Sequence, residues 1–237
     1  MANVIRMGSL YLDGRPILPW VEFHGDETIG IRKAVPGKEI PWVLVNGILI
    51  ADRCLLSNIS WDDLNAQSLI FGKEVSVGGL RYTLRSLRVG ASEDMPNEWD
   101  AALDIVGENG GVWTGKGPRF WGQERAAGIP LYRVLRGGEP ARLREAFDAS
   151  FRYIALGFRP VLEPLSTVRL DKLSVGQRVA IWGSQEVVRG WQEEVTDYEV
   201  VLSGWSEKLH HDPGFGCEIG NGRIAVDRGA ILSIQEC

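Results

Sequence analysis

The stretches "YRVLRGG", residues 132–138, and "YIALGFRPVLE", residues 153–163, decide how the middle of this chain is read. Each combines a strand-like apolar pattern with Arg and Gly at the end where a strand must turn. Between them lies "EPARLREAFDASFR", residues 139–152, an Arg- and Glu-rich interval unlike a buried core. Its first part, "EPARLREAF", reads as a short helix with Pro140 in the first turn.

Upstream, the first forty residues read as short strands, because Pro and Gly punctuate them too often for helix at "LDGRP", "HGDETIG" and "VPGKEIP". In "WVLVNGILIADRCLL" the pair Asn46-Gly47 between β-branched runs is a strong hairpin signal. Ser60 opens "SWDDLNAQSL" with Asp63 three residues on, a capping-box pattern that starts a helix. A second hairpin, "KEVSVGGLRYTLRSLRVG", turns at Gly78-Gly79, and Val75, Val77, Tyr82 and Leu84 alternate with polar neighbours. "NEWDAALDIVG" predicts a second helix, capped by Asn97 and ended by Gly107, with Trp99, Leu103 and Val106 on one face. Glu98, Asp100 and Asp104 read as a solvated face favoured by the helix dipole.

From residue 107 to 165 the chain turns rich in Gly, Trp and Arg with little periodicity, which marks a functional region. "EPLSTVRLDKLSVGQRV" then interrupts the apolar pattern and sets a boundary near residue 166. Beyond it, five short strands with Gly-bearing turns, from "QRVAIWG" to "AILSIQEC", describe a small β-barrel of SH3-like size. Trp182 reads as filling that barrel, and Trp191, Tyr198 and Trp205 as its candidate surface.

Composition narrows the class. With 237 residues, 44% hydrophobic and 24% charged, the chain is long enough for one large or two smaller globular domains. No run of about 18 apolar residues is present, which argues against a membrane partner, and the N-terminus lacks the apolar run of a secretory signal. The three cysteines, Cys54, Cys217 and Cys237, are odd in number and far apart, so they read as reduced thiols, Cys54 in the core. A net charge of −5 without a Lys/Arg run weighs against duplex nucleic acid. Arg outnumbers Lys, which favours planar recognition of carboxylates or phosphates, so an anionic ligand stays in view.

"VWTGKGPRFWGQE", "YRVLRGG" and "YIALGFRPVLE" together resemble the C-terminal half of a C-type-lectin-like fold. The branch is the one shared by formylglycine-generating-enzyme-like proteins and the variable proteins of diversity-generating retroelements. "GFRPVLEPL" and "LIADRCLLSNISWDDLN" also look like uncharacterised phage and prophage proteins. The resemblance implies an α+β fold, with a C-type-lectin-like domain over residues 1–165 followed by a small SH3-like β-barrel over residues 166–237. It further implies that two adjacent strands close the first domain and leave residues 139–152 free to form a binding surface. The candidate ligand-binding residues are then Arg142, Arg144 and Arg152, with Arg136 and Glu139 at the start of the interval. Trp113, Phe120, Trp121 and Gln123 lie close by on that fold and complete a surface of hot-spot composition. The formylglycine-generating chemistry does not carry over, since its late cysteine pair has no counterpart between Cys54 and Cys217.

Other chemistry is thinly signalled. His210, His211 and Asp212, with Cys217 beyond, do not form a recognised metal spacing, and His24 stands alone. Lys116 in "GGVWTGKG" is followed by no Ser or Thr, so a phosphate loop is not formed. No catalytic residues, metal or cofactor are therefore expected. The expectation is a non-enzymatic phage or prophage protein, acting in the host bacterial cytoplasm or on the virion, that binds a host protein or surface ligand. The alternatives are an intracellular anti-defence protein, binding a host immune protein or sequestering an anionic nucleotide messenger, and an enzyme of unspecified type.

Overall fold

Asn46 and Gly47, both at positive φ, turn Glu39–Val45 directly into Ile48–Ala51, as the Asn-Gly signal requires. In the computed structural model, which describes residues 3–108, 111–113, 118–206 and 214–237, this hairpin is the centre of an eight-stranded sheet. Its order runs Arg15–Ile17, Asn3–Leu12, Glu39–Val45, Ile48–Ala51, Pro160–Pro164, Leu80–Ser86, Lys73–Val77, with Ile29–Arg32 also paired to Asn3–Leu12. A six-stranded sheet follows the order Arg144–Asp148, Ile129–Arg136, Arg119–Ala126, Leu156–Phe158, Leu56–Ser57, Val21–Glu22.

Both faces of the central hairpin are buried. Trp42, Leu44, Leu49 and Ala51 enter one core together with Trp121, Leu135 and Phe158 of the second sheet. Val43, Val45 and Ile50 enter another with Phe120, Val134 and Trp99. Burial on two sides explains why this stretch reads as a continuous apolar run rather than an alternating one.

The α+β, lectin-like expectation is overturned, because the chain is β-rich. Among the described residues the only α-helices are Trp61–Ala66 and Glu98–Val106, both capped as their sequences indicate, by Ser60 and Asn97. The helix expected over "EPARLREAF" is instead a strand, Arg144–Asp148, paired antiparallel to Ile129–Arg136. Good local helix formers lose there to cross-strand pairing and to packing of Phe147 and Ala146 on the two cores. The two bracketing segments are not neighbours either, since Arg119–Ala126 lies between Ile129–Arg136 and Leu156–Phe158. "YIALGFRPVLE" divides at Arg159, sending Leu156–Phe158 into one sheet and Pro160–Pro164 into the other.

The third sheet is antiparallel and six-stranded, one strand more than expected: Gly216–Gly220, Arg223–Asp227, Glu199–Ser206, Val187–Val195, Arg178–Trp182, Ser233–Glu236. Among the described residues its two end strands do not pair, so it is a half-barrel rather than the expected closed SH3-like barrel. Val179, Ile181, Val200, Leu202, Ile224 and Val226 fill its concave side.

Trp182 does not fill this half-barrel but points out of it. It is 1% exposed and packs edge-on against Tyr82 at 5.9 Å, within the core of the eight-stranded sheet. Around it, Gly47 N donates to Ser184 O at 2.8 Å, Asn3 Nδ2 to Gln185 O at 2.7 Å, and Arg81 N to Gln235 Oε1 at 2.7 Å. These contacts join the half-barrel to the preceding sheets. Trp182→Ala is therefore expected to cost about 3–5 kcal/mol by emptying a shared core. In differential scanning calorimetry the wild type should unfold in one transition, and the variant should show the half-barrel melting separately.

Candidate binding surface

Most of the aromatic residues expected to form a surface are core. Phe120 and Trp121 are fully buried and Trp113 nearly so. Trp113 and Phe120 both meet the Trp99 ring edge-on, at 4.9 and 5.0 Å, and Trp121 Nε1 donates to Ile59 O at 2.7 Å. Gln123 is half-buried and its Nε2 donates to Ser86 O at 3.0 Å. Glu139, on the turn after Arg136, is exposed, as is Arg152.

The predicted arginines have internal partners. Buried Arg136 pairs with Asp100. Arg142 reaches Asp104 at 2.7 Å and Glu108 at 2.5 Å, and Arg144 Nη2 donates to Ala91 O. The acidic side of helix Glu98–Val106 is thus paired with guanidinium groups rather than simply solvated. Arg152 binds Asp63 through two bonds, Nε to Oδ2 at 2.8 Å and Nη2 to Oδ1 at 2.6 Å. Burial pushes the Asp63 carboxyl up, but Arg152 and Ser60 outweigh it and hold the group below the usual carboxylate range. Gly25, at φ +113°, leaves room for this clamp, since a Cβ there would lie 2.6 Å from Arg152 Nη1.

Arg159, within "YIALGFRPVLE", is buried where the chain crosses between sheets. Its guanidinium lies over Trp99, Phe120 and Trp113 at 4.7, 5.1 and 5.7 Å, while Nε and Nη1 find no hydrogen-bond partner. Beside it, burial pushes the Cys54 thiol up, against the opposing pull of Arg159. A half-enclosed cavity of about 200 Å³ near Asn46 is lined by Arg85, Arg88, Glu98 and Glu163, which neutralise one another.

A different surface emerges at the margin of the first core, on the face of the six-stranded sheet that carries Trp121 and Leu135 inward. Phe71 meets Trp61 edge-on at 6.0 Å, and the Arg133 guanidinium lies 4.4 Å over the Trp61 ring. Arg133 is directly opposite Phe147 across the strand pair. Phe147 stacks on Phe151 at 5.5 Å and 13°, and Phe151 on Tyr153 at 6.4 Å and 21°. The outcome is a ladder of five rings around one guanidinium. Phe71, Phe151 and Tyr153 are 66%, 43% and 54% exposed, and Leu131 and Ile154 extend the apolar area. Among the described residues Arg133 has no ion pair; its Nη1 donates to Pro130 O at 2.9 Å, and burial followed by the nearby Arg125 charge lowers its pKa.

The segment from Ala149 to Tyr153 that carries Phe151 is strapped down by Asp62 N donating to Ala149 O at 3.1 Å and by the Arg152–Asp63 clamp. No local spacing signals Trp61, Phe71 or Arg133, which join the ladder only through long-range packing. His210, His211, Asp212 and Lys116 lie outside the described residues. Within those residues no helix is long and apolar enough to cross a membrane. Neither a family model, a curated protein nor a solved structure matches the chain.

Two measurements check this geometry. Asp63→Asn removes the charge that clamps Arg152 and weakens the reciprocal half of the capping box, and is expected to lower stability by about 1–3 kcal/mol at neutral pH. Because the folded-state carboxyl is held low, its contribution is present above the unfolded pKa and disappears as pH falls through the folded one, so the two proteins should converge in acid. In a thiol-reagent titration, exposed Cys217 and Cys237 should react in the native protein and buried Cys54 only after unfolding.

Proposed function

We propose that this chain is a non-enzymatic binding protein and that its contact face is the ladder from Phe71 to Tyr153. The observation that carries the proposal is the exposed aromatic stack beside Arg133, whose guanidinium lies over the Trp61 ring and makes no ion pair among the described residues. Trp, Tyr and Arg are the residues that dominate binding hot spots, and a contiguous exposed apolar patch marks an interaction site. The partner is best read as a protein, in a bacterial host as the phage-like motifs imply. Sequestration of an anionic messenger has less support, because Arg136, Arg142, Arg144 and Arg152 are already bonded to internal acceptors. Arg152 and Ser60 hold the Asp63 carboxyl below the usual carboxylate range, the opposite of what a general acid at neutral pH needs.

The test compares the wild type, Phe151→Ser/Tyr153→Ser and Arg142→Glu as baits in bacterial lysate, followed by titration of the captured protein. Phe151→Ser/Tyr153→Ser is expected to weaken binding at least about tenfold, roughly 1.4 kcal/mol, without loss of melting temperature. Arg142→Glu should leave binding nearly unchanged. The reverse ranking, with Arg142→Glu abolishing binding of a nucleotide or sugar acid, would transfer the function to the arginines.

A further inference from the structure

Strand Arg144–Asp148 ends the six-stranded sheet, paired on one side to Ile129–Arg136 and on the other to no strand among the described residues. Which of its backbone groups face outward follows from the register. Ala149 N donates to Leu131 O at 3.2 Å, so Leu131 and Ala149 form a hydrogen-bonded pair. Bonded and non-bonded pairs alternate along an antiparallel ladder, which makes Arg133–Phe147 and Leu135–Glu145 bonded and Val134–Ala146, Arg136–Arg144 and Tyr132–Asp148 non-bonded. The N–H and C=O groups of Arg144, Ala146 and Asp148 therefore point away from the sheet, toward the open edge. Of these, the Asp148 carbonyl already accepts Phe151 N at 3.0 Å.

The side chains on this edge are complementary to themselves. Read antiparallel about Ala146, the sequence Arg-Glu-Ala-Phe-Asp sets Arg144 opposite Asp148 at both ends and Ala146 opposite Ala146 at the centre. In-register parallel pairing would instead put Arg144 on Arg144 and Asp148 on Asp148, and a slip of one residue would carry each charge to the opposite face. Arg144 holds Ala91 O through Nη2, and its charge opposite Asp148 still selects one arrangement, a two-fold one, from those the open edge allows. Ala146, the smallest side chain of the strand, sits on the axis, where two backbones must approach. Ser150 N and Oγ both donate to the Asp148 carboxylate, at 3.0 and 2.7 Å, and Ser150 holds its pKa below the usual range, so it is charged at neutral pH.

We propose that a second copy of this chain docks antiparallel on Arg144–Asp148, joining the two six-stranded sheets into one sheet across a two-fold axis. The Ala146 pair exchanges its two backbone hydrogen bonds, and each Arg144 faces the partner subunit's Asp148. This inference goes beyond the protein-binding reading of the ladder and does not depend on it.

The test is the solution mass by sedimentation equilibrium over a micromolar range, on the full chain. The wild type is expected to dimerise. Arg144→Asp places two carboxylates opposite each other, and Asp148→Arg two guanidiniums, so each variant alone should dissociate at least about tenfold more readily. Mixing the two restores both opposite-charge pairs and should return a heterodimer, which a merely structural defect in either variant could not do. A wild type that stays monomeric, a dimer indifferent to both substitutions, or a mixture that fails to recover the dimer would each overturn the proposal. Thermal melts of all three proteins establish that they are folded.

Discussion

The structure depends first on one buried cation. Arg85 is 1% exposed, on a strand of the eight-stranded sheet, and donates to Glu98 on the second helix at 2.8 and 2.7 Å and to Glu163 on the neighbouring strand at 2.7 Å. Burial pushes its pKa down, and the two carboxylates more than reverse that. Glu98 in turn accepts Arg88 N at 2.9 Å, so the first turn of helix Glu98–Val106 is attached to the sheet through its backbone as well. Removing one member of such a buried set leaves a charge without its partner, which typically costs about 3–5 kcal/mol. The helix that Arg85 holds then positions Trp99, over which Arg159 lies, and Asp100, which receives Arg136.

This dependence gives the arginines two roles. Where a guanidinium meets a carboxylate or carbonyl of a distant element, as Arg85, Arg136, Arg142 and Arg152 do, it fixes the approach of sheets and short helices that bury little surface alone. Arg159 does similar work with ring faces in place of an anion, at one of the points where the chain passes between sheets. Arg133 is the exception, stacked on Trp61 at the half-buried surface with its charge facing aromatic rings. Among the described residues it makes no ion pair, and the ring contact holds its guanidinium instead.

What the sequence made legible was whatever is decided within a few residues. The Asn46-Gly47 and Gly78-Gly79 turns, the Ser60–Asp63 capping box and the Asn97 cap all appear as expected, because each is a local backbone requirement. Residues 144–148 were misread because Ala, Arg, Glu and Leu favour helix locally, whereas the strand is imposed by pairing with residues 132–136. The same limit applies to the arginines and tryptophans. The partners of Arg136 and Arg152 are 36 and 89 residues away, and no spacing rule tells a Trp that faces a core, like Trp121, from one that faces solvent. The lectin-like expectation failed for this reason, since its motifs correspond to strands whose neighbours differ from the ones implied.

Alternation within the edge strand lets both proposed roles coexist. Glu145 and Phe147 lie on one face of Arg144–Asp148, and Arg144, Ala146 and Asp148 on the other. Phe147 belongs to the aromatic ladder and packs on the first core, while Ala146 packs on the second with Val134 and Trp99. A strand added at the edge would take up the outward backbone groups of Arg144, Ala146 and Asp148 and match charges on their face. It would also bring the Phe147 faces of two subunits side by side. The ladder would then be extended rather than covered, and a partner protein would meet two copies of Phe151 and Tyr153 on one continuous sheet.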